Sequence, residues 1–135
     1  MKRIYLILTI LVQAAWVEGQ SLTSAQLTWT SSGMYNKTNQ ETVAYGCTFE
    51  TGPGVVKWIQ KGGAVVYEFT VTGARGSWQN VAEDGELTLD VTFRGQPGTI
   101  RFARSGSSIT IEPDIQKDGQ NSMPFRFTIS AINSR

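Results

Sequence analysis

The sequence lacks histidine altogether and has a single cysteine in 135 residues. Histidine is the usual base beside a nucleophilic serine or cysteine and a common zinc ligand, so its absence argues against hydrolases and zinc sites of those kinds. One cysteine cannot form a disulfide within the chain. We therefore expect a non-enzymatic protein without catalytic residues, metal or cofactor, whose core alone holds the fold.

The cysteine, Cys47, stands in the segment "VAYGCTFE" at every second position with Val43, Tyr45 and Phe49. That spacing puts the four side chains on one face of a strand. A thiol on an apolar face behaves as a small hydrophobe, so the pattern predicts a structural core residue. A reactive thiol or an intermolecular disulfide is the alternative.

The chain also lacks blocks of like charge, because its 12 basic and 11 acidic residues are interspersed. A protein that binds nucleic acid or an anionic membrane surface normally carries a basic patch or stripe. We therefore expect no nucleic-acid partner.

Residues 1–19 have the layout of a secretory signal peptide: a basic start, an apolar run and small residues before Gln20. The apolar run is shorter than the ~20 residues that span a bilayer, which disfavours a membrane helix. We predict a signal peptide at 1–19, a single domain at 20–135 and no membrane insertion of the mature chain. The expected location is secreted or periplasmic, and the lack of an internal disulfide favours a bacterial source.

Long helical patterns are missing as well, whereas apolar and polar residues alternate in eight short runs. Alternation with period two is typical of half-buried antiparallel strands, and the short glycine-containing links between the runs are typical of hairpins. We predict an all-β meander of about eight strands that closes into a small barrel, with a β-sandwich as the alternative. The runs are 26–30, 43–49, 54–60, 65–71, 86–93, 99–103, 108–112 and 125–131.

Three longer, irregular stretches separate some of these runs, at 31–40, 73–85 and 114–122. Long connections on a small scaffold are the usual places for binding. We expect these three stretches to frame the mouth of the barrel.

The alternating runs, with Trp29 in the first strand and Arg126 in "PFRFTI" of the last, make the chain similar to small secreted lipocalin-like (calycin-like) barrels. The resemblance covers residues 25–132. It implies that Trp29 packs against Arg126 and closes one end of the barrel, which gives both residues a structural role.

Three further side chains are candidates for ligand binding: Trp78, Tyr35 and Met34. Trp78 lies in the polar segment "RGSWQN", where its ring either plugs one end of the barrel or is exposed to a partner. Tyr35 and Met34 follow the first strand and are placed on the rim. By contrast, Trp29, Tyr45 and Tyr67 share faces with aliphatic residues and are predicted to be core.

Two functions fit these observations. The first is a secreted, non-enzymatic binding module for a small apolar molecule at the barrel mouth. The second is a cell-envelope domain that binds a protein through its outer surface and has a filled interior without ligand. The oligomeric state is left open.

Overall fold

The structure, a computed structural model, describes Thr23 and residues 25–135, apart from the side chain of Ser77. The predicted signal peptide at 1–19 lies outside the described residues. The described chain is nearly all strand, with one short 3₁₀ turn at Lys61–Gly63, and this confirms the all-β prediction.

The structure has nine strands, and the eight long ones form where the sequence alternates between apolar and polar residues, because that pattern lets each strand bury one face. They are β1 (Leu27–Asn36), β2 (Glu41–Gly52), β3 (Val55–Gln60), β4 (Val65–Ser77), β5 (Gly85–Phe93), β6 (Gln96–Ser105), β7 (Ser108–Lys117), β8 (Gln120–Asn121) and β9 (Phe125–Ser134).

The strands from β1 to β7 each pair antiparallel with the next, and β9 pairs with β1. The circle closes where β7 meets β9, through the pairs Thr110 with Thr128 and Ile111 with Phe127. Eight strands therefore form a closed barrel, as predicted, and the sandwich alternative is wrong. The two-residue strand β8 pairs with β7 beside this closure.

Because successive strands run in opposite directions, their connections alternate between the two ends of the barrel. We call one end the open end; it carries the connections 37–40, 61–64, 94–95 and 118–124. We call the other the plugged end; it carries the connections 53–54, 78–84 and 106–107.

The positions of these connections correct the prediction that the three long stretches frame the mouth of the barrel. The strands extend into the stretches expected to be irregular, since β1 runs to Asn36, β4 to Ser77 and β7 to Lys117. The connection after β4 lies at the plugged end, whereas those after β1 and β7 lie at the open end. The three stretches therefore do not frame one mouth.

Aromatic and aliphatic side chains fill the plugged half of the barrel. The Trp29 ring lies 5.0 Å from the ring of Phe102 and 5.7 Å from that of Trp78, measured between centroids. The indole Nε1 of Trp29 donates a hydrogen bond of 3.0 Å to Thr51 Oγ1, so its polar atom is satisfied inside the core.

The face predicted for "VAYGCTFE" holds only in part. Cys47 is 7 % exposed and Phe49 is fully buried, but Val43 is 43 % exposed. Val43 lies near the start of β2, at the open end of the barrel, and pairs with Met34 of β1. Because residues directly opposite each other share one side of a sheet, Val43 is exposed by its place near the rim and not by a reversal of the face.

Candidate ligand-binding cavity

A cavity of about 730 Å³ occupies the open half of the barrel. Its apolar lining comes from residues of five strands and of the connection before β9, all near the open end. These residues are Met34, Trp58, Tyr67, Phe93, Met123 and Phe125.

The polar lining carries positive charge and no carboxylate. It consists of Tyr45, Gln60, Arg94, Gln96, Lys117 and Ser122. Two of these six side chains are cations, and no aspartate or glutamate among residues 25–135 lines the cavity. The cavity thus has a mainly aromatic wall with a positively charged side.

Gln60 is the most deeply buried polar residue of the lining, at 8 % exposure. It faces inward because β3 alternates regularly, with Val56, Trp58 and Gln60 buried in turn. The hydroxyl of Tyr45 donates a hydrogen bond of 2.6 Å to Gln60 Oε1. Gln60 Nε2 is buried and has no hydrogen-bond partner, which leaves both amide hydrogens unused.

Trp58 forms the floor of the cavity, where its ring stacks on Phe49 at 5.8 Å and meets Phe127 edge-on at 5.1 Å. Its Nε1 is buried and makes no hydrogen bond of acceptable geometry. The indole lies beside Cys47. Burial raises the pKa of the Cys47 thiol, and the neighbouring indole acts in the opposite direction. Trp58 Nε1 therefore faces a weak sulfur acceptor, and Gln60 Nε2 is the clearer unpaired donor.

Arg94 stands at the open end in the turn between β5 and β6, with a φ of 52°. Its guanidinium carbon lies 4.8 Å from the ring centroid of Phe93 and 5.4 Å from that of Tyr67. The rings hold the cation by a cation–π interaction, so Arg94 needs no carboxylate to fix its position.

Neither Arg94 nor Lys117 forms an ion pair within the described part of the chain. The salt bridges of residues 25–135 use other cations, namely Lys37, Arg75, Arg101 and Arg135. Both cations of the cavity lining therefore keep their charge available to a bound molecule.

The structure separates the three predicted ligand residues. Met34 lines the cavity. Its neighbour Tyr35 lies on the outer face, where the guanidinium carbon of Arg126 is 4.6 Å from its ring centroid. Trp78 is 4 % exposed and belongs to the plugged end, where its Nε1 donates a hydrogen bond of 2.8 Å to the Glu83 carbonyl.

The close packing of Trp78 requires a glycine at the start of β5. A Cβ atom at Gly85 would overlap the Trp78 ring, so any other residue there would displace the plug. The plug loop is further tied down by Asp84, whose Oδ1 accepts a hydrogen bond of 2.9 Å from the amide of Gly106.

The resemblance implied that Arg126 packs on Trp29, but the structure does not bring them together. Arg126 pairs with Tyr35 across β1 and β9, whereas Trp29 pairs with Ile132, six positions further along β9. The arginine near Trp29 is Arg135, which donates a hydrogen bond of 2.8 Å to the Thr51 carbonyl. Arg135 therefore joins β1, β2 and β9 at the plugged end.

Sequence reasoning missed most of the lining. Tyr45 and Tyr67 were predicted to be core, and Trp58 and Gln60 were not singled out. The sequence does contain a signal for these residues. In an antiparallel meander the first, third and fifth hairpins lie at the same end of the barrel, so the inward residues beside them must line that end. A glutamine at an inward position of "GVVKWIQ" is a further sign, since buried polar residues need a partner.

Within residues 25–135, no group of three or more His, Cys, Asp or Glu side chains could hold a metal ion. No helix in the described chain is long and apolar enough to cross a membrane. No protein-family model matches the chain, and no curated protein matches it either.

Proposed function

We propose that this protein binds a small, mainly apolar molecule in the cavity at the open end of the barrel, without a catalytic step. The observation that carries the proposal is the cavity itself, about 730 Å³ with an aromatic wall and a few polar groups. Pockets for small molecules commonly measure ~300–1,000 Å³ and have this kind of lining. The closed barrel is also compatible with the calycin-like resemblance.

The burial pattern supports a pocket rather than a packing defect. Buried side-chain atoms without a hydrogen-bond partner in residues 25–135 are Trp58 Nε1 and Gln60 Nε2, and both residues line the cavity. A buried donor without a partner destabilises a fold by ~1–3 kcal/mol, so a site retaining such donors is better explained by a function.

The alternative, an envelope domain that binds a protein partner, assumed a filled interior. Side chains fill the plugged half around Trp29 and Trp78, but the open half contains the cavity. Within residues 25–135, no feature of the outer surface favours that alternative.

Binding can be tested with N-phenylnaphthylamine, a neutral apolar dye whose fluorescence rises in apolar surroundings. We expect saturable binding to the purified protein at one site per chain. Native mass spectrometry of protein purified without denaturation should show an added mass if a tight ligand accompanies the chain. A bare polypeptide mass together with no dye binding would contradict the proposal.

A substitution that fills the cavity locates the site. Met34→Trp adds volume to the cavity wall and should lower dye affinity by about tenfold or more, which corresponds to ~1.4 kcal/mol of lost binding. Val66→Trp is the matched control, because Val66 is 47 % exposed and precedes the inward residue Tyr67 on β4. Equal loss of affinity in both variants would show that the dye binds elsewhere.

A further inference from the structure

Three groups of the cavity lining, Gln60 Nε2, Arg94 and Lys117, can donate hydrogen bonds but cannot accept them. Gln60 Oε1 already accepts from Tyr45, which leaves Gln60 Nε2 as the unpaired atom of that amide. Arg94 and Lys117 line the same cavity and can donate but not accept. A ligand that satisfies this set must therefore supply acceptors.

The charge of the cavity lining indicates that the hydrogen-bond acceptor of the ligand is an anion. Arg94 and Lys117 contribute two positive charges, and no aspartate or glutamate of the described chain lines the cavity to balance them. Hydrogen bonds from a cation to an anionic oxygen are shorter and about twice as strong as those between neutral groups. A neutral ligand would gain little from these two positive charges, and a cationic ligand would be repelled by them.

The position of Arg94 gives the anion a definite place. Its guanidinium is held over the rings of Phe93 and Tyr67 at the open end, so its donors are oriented without an ion pair. Gln60 ends β3 at the same end of the barrel, and Trp58 lies deeper on that strand. The apolar surface deeper in the cavity is thus left to the hydrophobic body of a ligand.

We infer that the ligand of this cavity is an anionic amphiphile, whose apolar body contacts Trp58 and its neighbours and whose carboxylate or similar oxygen anion binds Gln60 Nε2 and Arg94. The inference rests on the proposed function and specifies its ligand class. Lys117 adds favourable charge at the mouth.

Two dyes with the same aromatic skeleton test the inference directly. Anilinonaphthalene sulfonate differs from N-phenylnaphthylamine by its sulfonate, so the ratio of their dissociation constants isolates the anionic group. We expect the wild-type protein to bind the sulfonate more tightly. Arg94→Met should reduce that preference, measured as the ratio of the two dissociation constants, about tenfold, the range of a hydrogen bond to a charged group.

Lys61→Met is the matched control for Arg94→Met. It removes one positive charge at the open end from a residue that does not line the cavity, and both residues have a φ of 52°. The control should keep the preference for the sulfonate. Gln60→Met, checked for folding by circular dichroism, should reduce the preference without abolishing neutral-dye binding.

Ligands without an aromatic ring provide a test that does not depend on properties of the dyes. Dodecanoate, dodecanol and dodecylammonium can each compete with N-phenylnaphthylamine, and we expect dodecanoate to displace it at the lowest concentration. Binding of the neutral dye without any preference for anions, or a preference that survives Arg94→Met, would overturn the inference and leave the proposed function standing. Binding of neither dye would overturn both.

Discussion

At the scale of single residues, Cys47 and Tyr45 lie two positions apart on β2, and burial raises the pKa of each. For Cys47, the neighbouring side chains of Trp58 and Ser31 act in the opposite direction but are the smaller effect. Because the thiolate is the reactive form, a raised pKa makes the thiol less nucleophilic at neutral pH. The chemistry of Cys47 is thus suppressed by the same burial that makes it part of the core.

The raised pKa of Cys47 predicts a loss of stability in mildly alkaline solution. Above about pH 8.5 the thiol ionises in the unfolded chain while the folded chain keeps its proton, so the free energy of unfolding falls as pH rises. Urea denaturation at pH 7 and pH 9 should show this fall in the wild type. In Cys47→Ala the fall should be smaller, although the alanine itself lowers stability by about 1 kcal/mol.

The urea denaturation series ends near pH 9 because the hydroxyl of Tyr45 ionises near pH 10 in an unfolded chain. Below that pH the ionisation of Tyr45 does not add to the effect of the thiol. Rapid labelling of the native thiol at pH 8, at the rate seen in urea, would contradict the burial of Cys47. An identical pH dependence in wild type and Cys47→Ala would assign the effect to other groups.

At the scale of strands, alternation predicted all eight strands of the barrel but not their full lengths. The missed ends of β1 and β4 lie near register shifts, between Ser31 and Gly33 and between Val71 and Gly73. A bulge changes which residues face inward without leaving a clear sign in the local pattern. Local sequence therefore finds the strand centres, whereas the ends depend on the neighbouring strand.

The cavity was less predictable than the fold because its residues come from separate strands. Met34 was identified as a rim residue from its place after the first strand, and it does line the cavity. Trp58 and Gln60 become recognisable only when the meander order shows which hairpins share an end. For Trp78 the polar surrounding sequence left two alternatives open, and the structure shows the plug, because the ring turns inward between Trp29 and Gly85.

The seam between β7 and β9 is the shortest pairing among the eight barrel strands, with two residue pairs. Lys37 reaches across the seam, because its amide donates to the Pro124 carbonyl at 2.8 Å and its Nζ lies 2.7 Å from Glu112 Oε2. Arg101 adds a weaker contact of 3.7 Å to the same carboxylate. Glu112 therefore joins the two sides of the seam through side chains.

Glu112→Gln should lower the free energy of unfolding by up to about 1 kcal/mol, the range for partly exposed ion pairs, and added salt should shrink the difference. Asp90→Asn is a control that breaks the Arg75 pair away from the seam, where both side chains are more exposed. It should have the smaller effect. Equal losses in urea denaturation of the two variants would argue that the seam has no special dependence on Glu112.

At the scale of the whole molecule, the barrel divides its apolar residues between two tasks. The plugged half buries Trp29 and Trp78 against the neighbouring strands, and the open half uses Trp58 to line the cavity. Phe49 connects the two halves, since its ring stacks on Trp58 and the residue stands opposite Trp29 in the pairing of β1 with β2. Replacing Trp78 should therefore lower stability alone, whereas replacing Trp58 should affect both stability and binding.

Trp78 and Trp58 provide a matched test of that division, because each is 4 % exposed. Replacing either with alanine should lower the free energy of unfolding by ~3–5 kcal/mol, the usual loss for a buried tryptophan. Affinity for N-phenylnaphthylamine should fall in Trp58→Ala and stay within about twofold in Trp78→Ala, since the Trp78 ring packs on Trp29 at the opposite end of the barrel. Titrations at a temperature where circular dichroism shows both variants folded will decide the point, and a large loss of affinity in Trp78→Ala would mean that the plug controls the cavity.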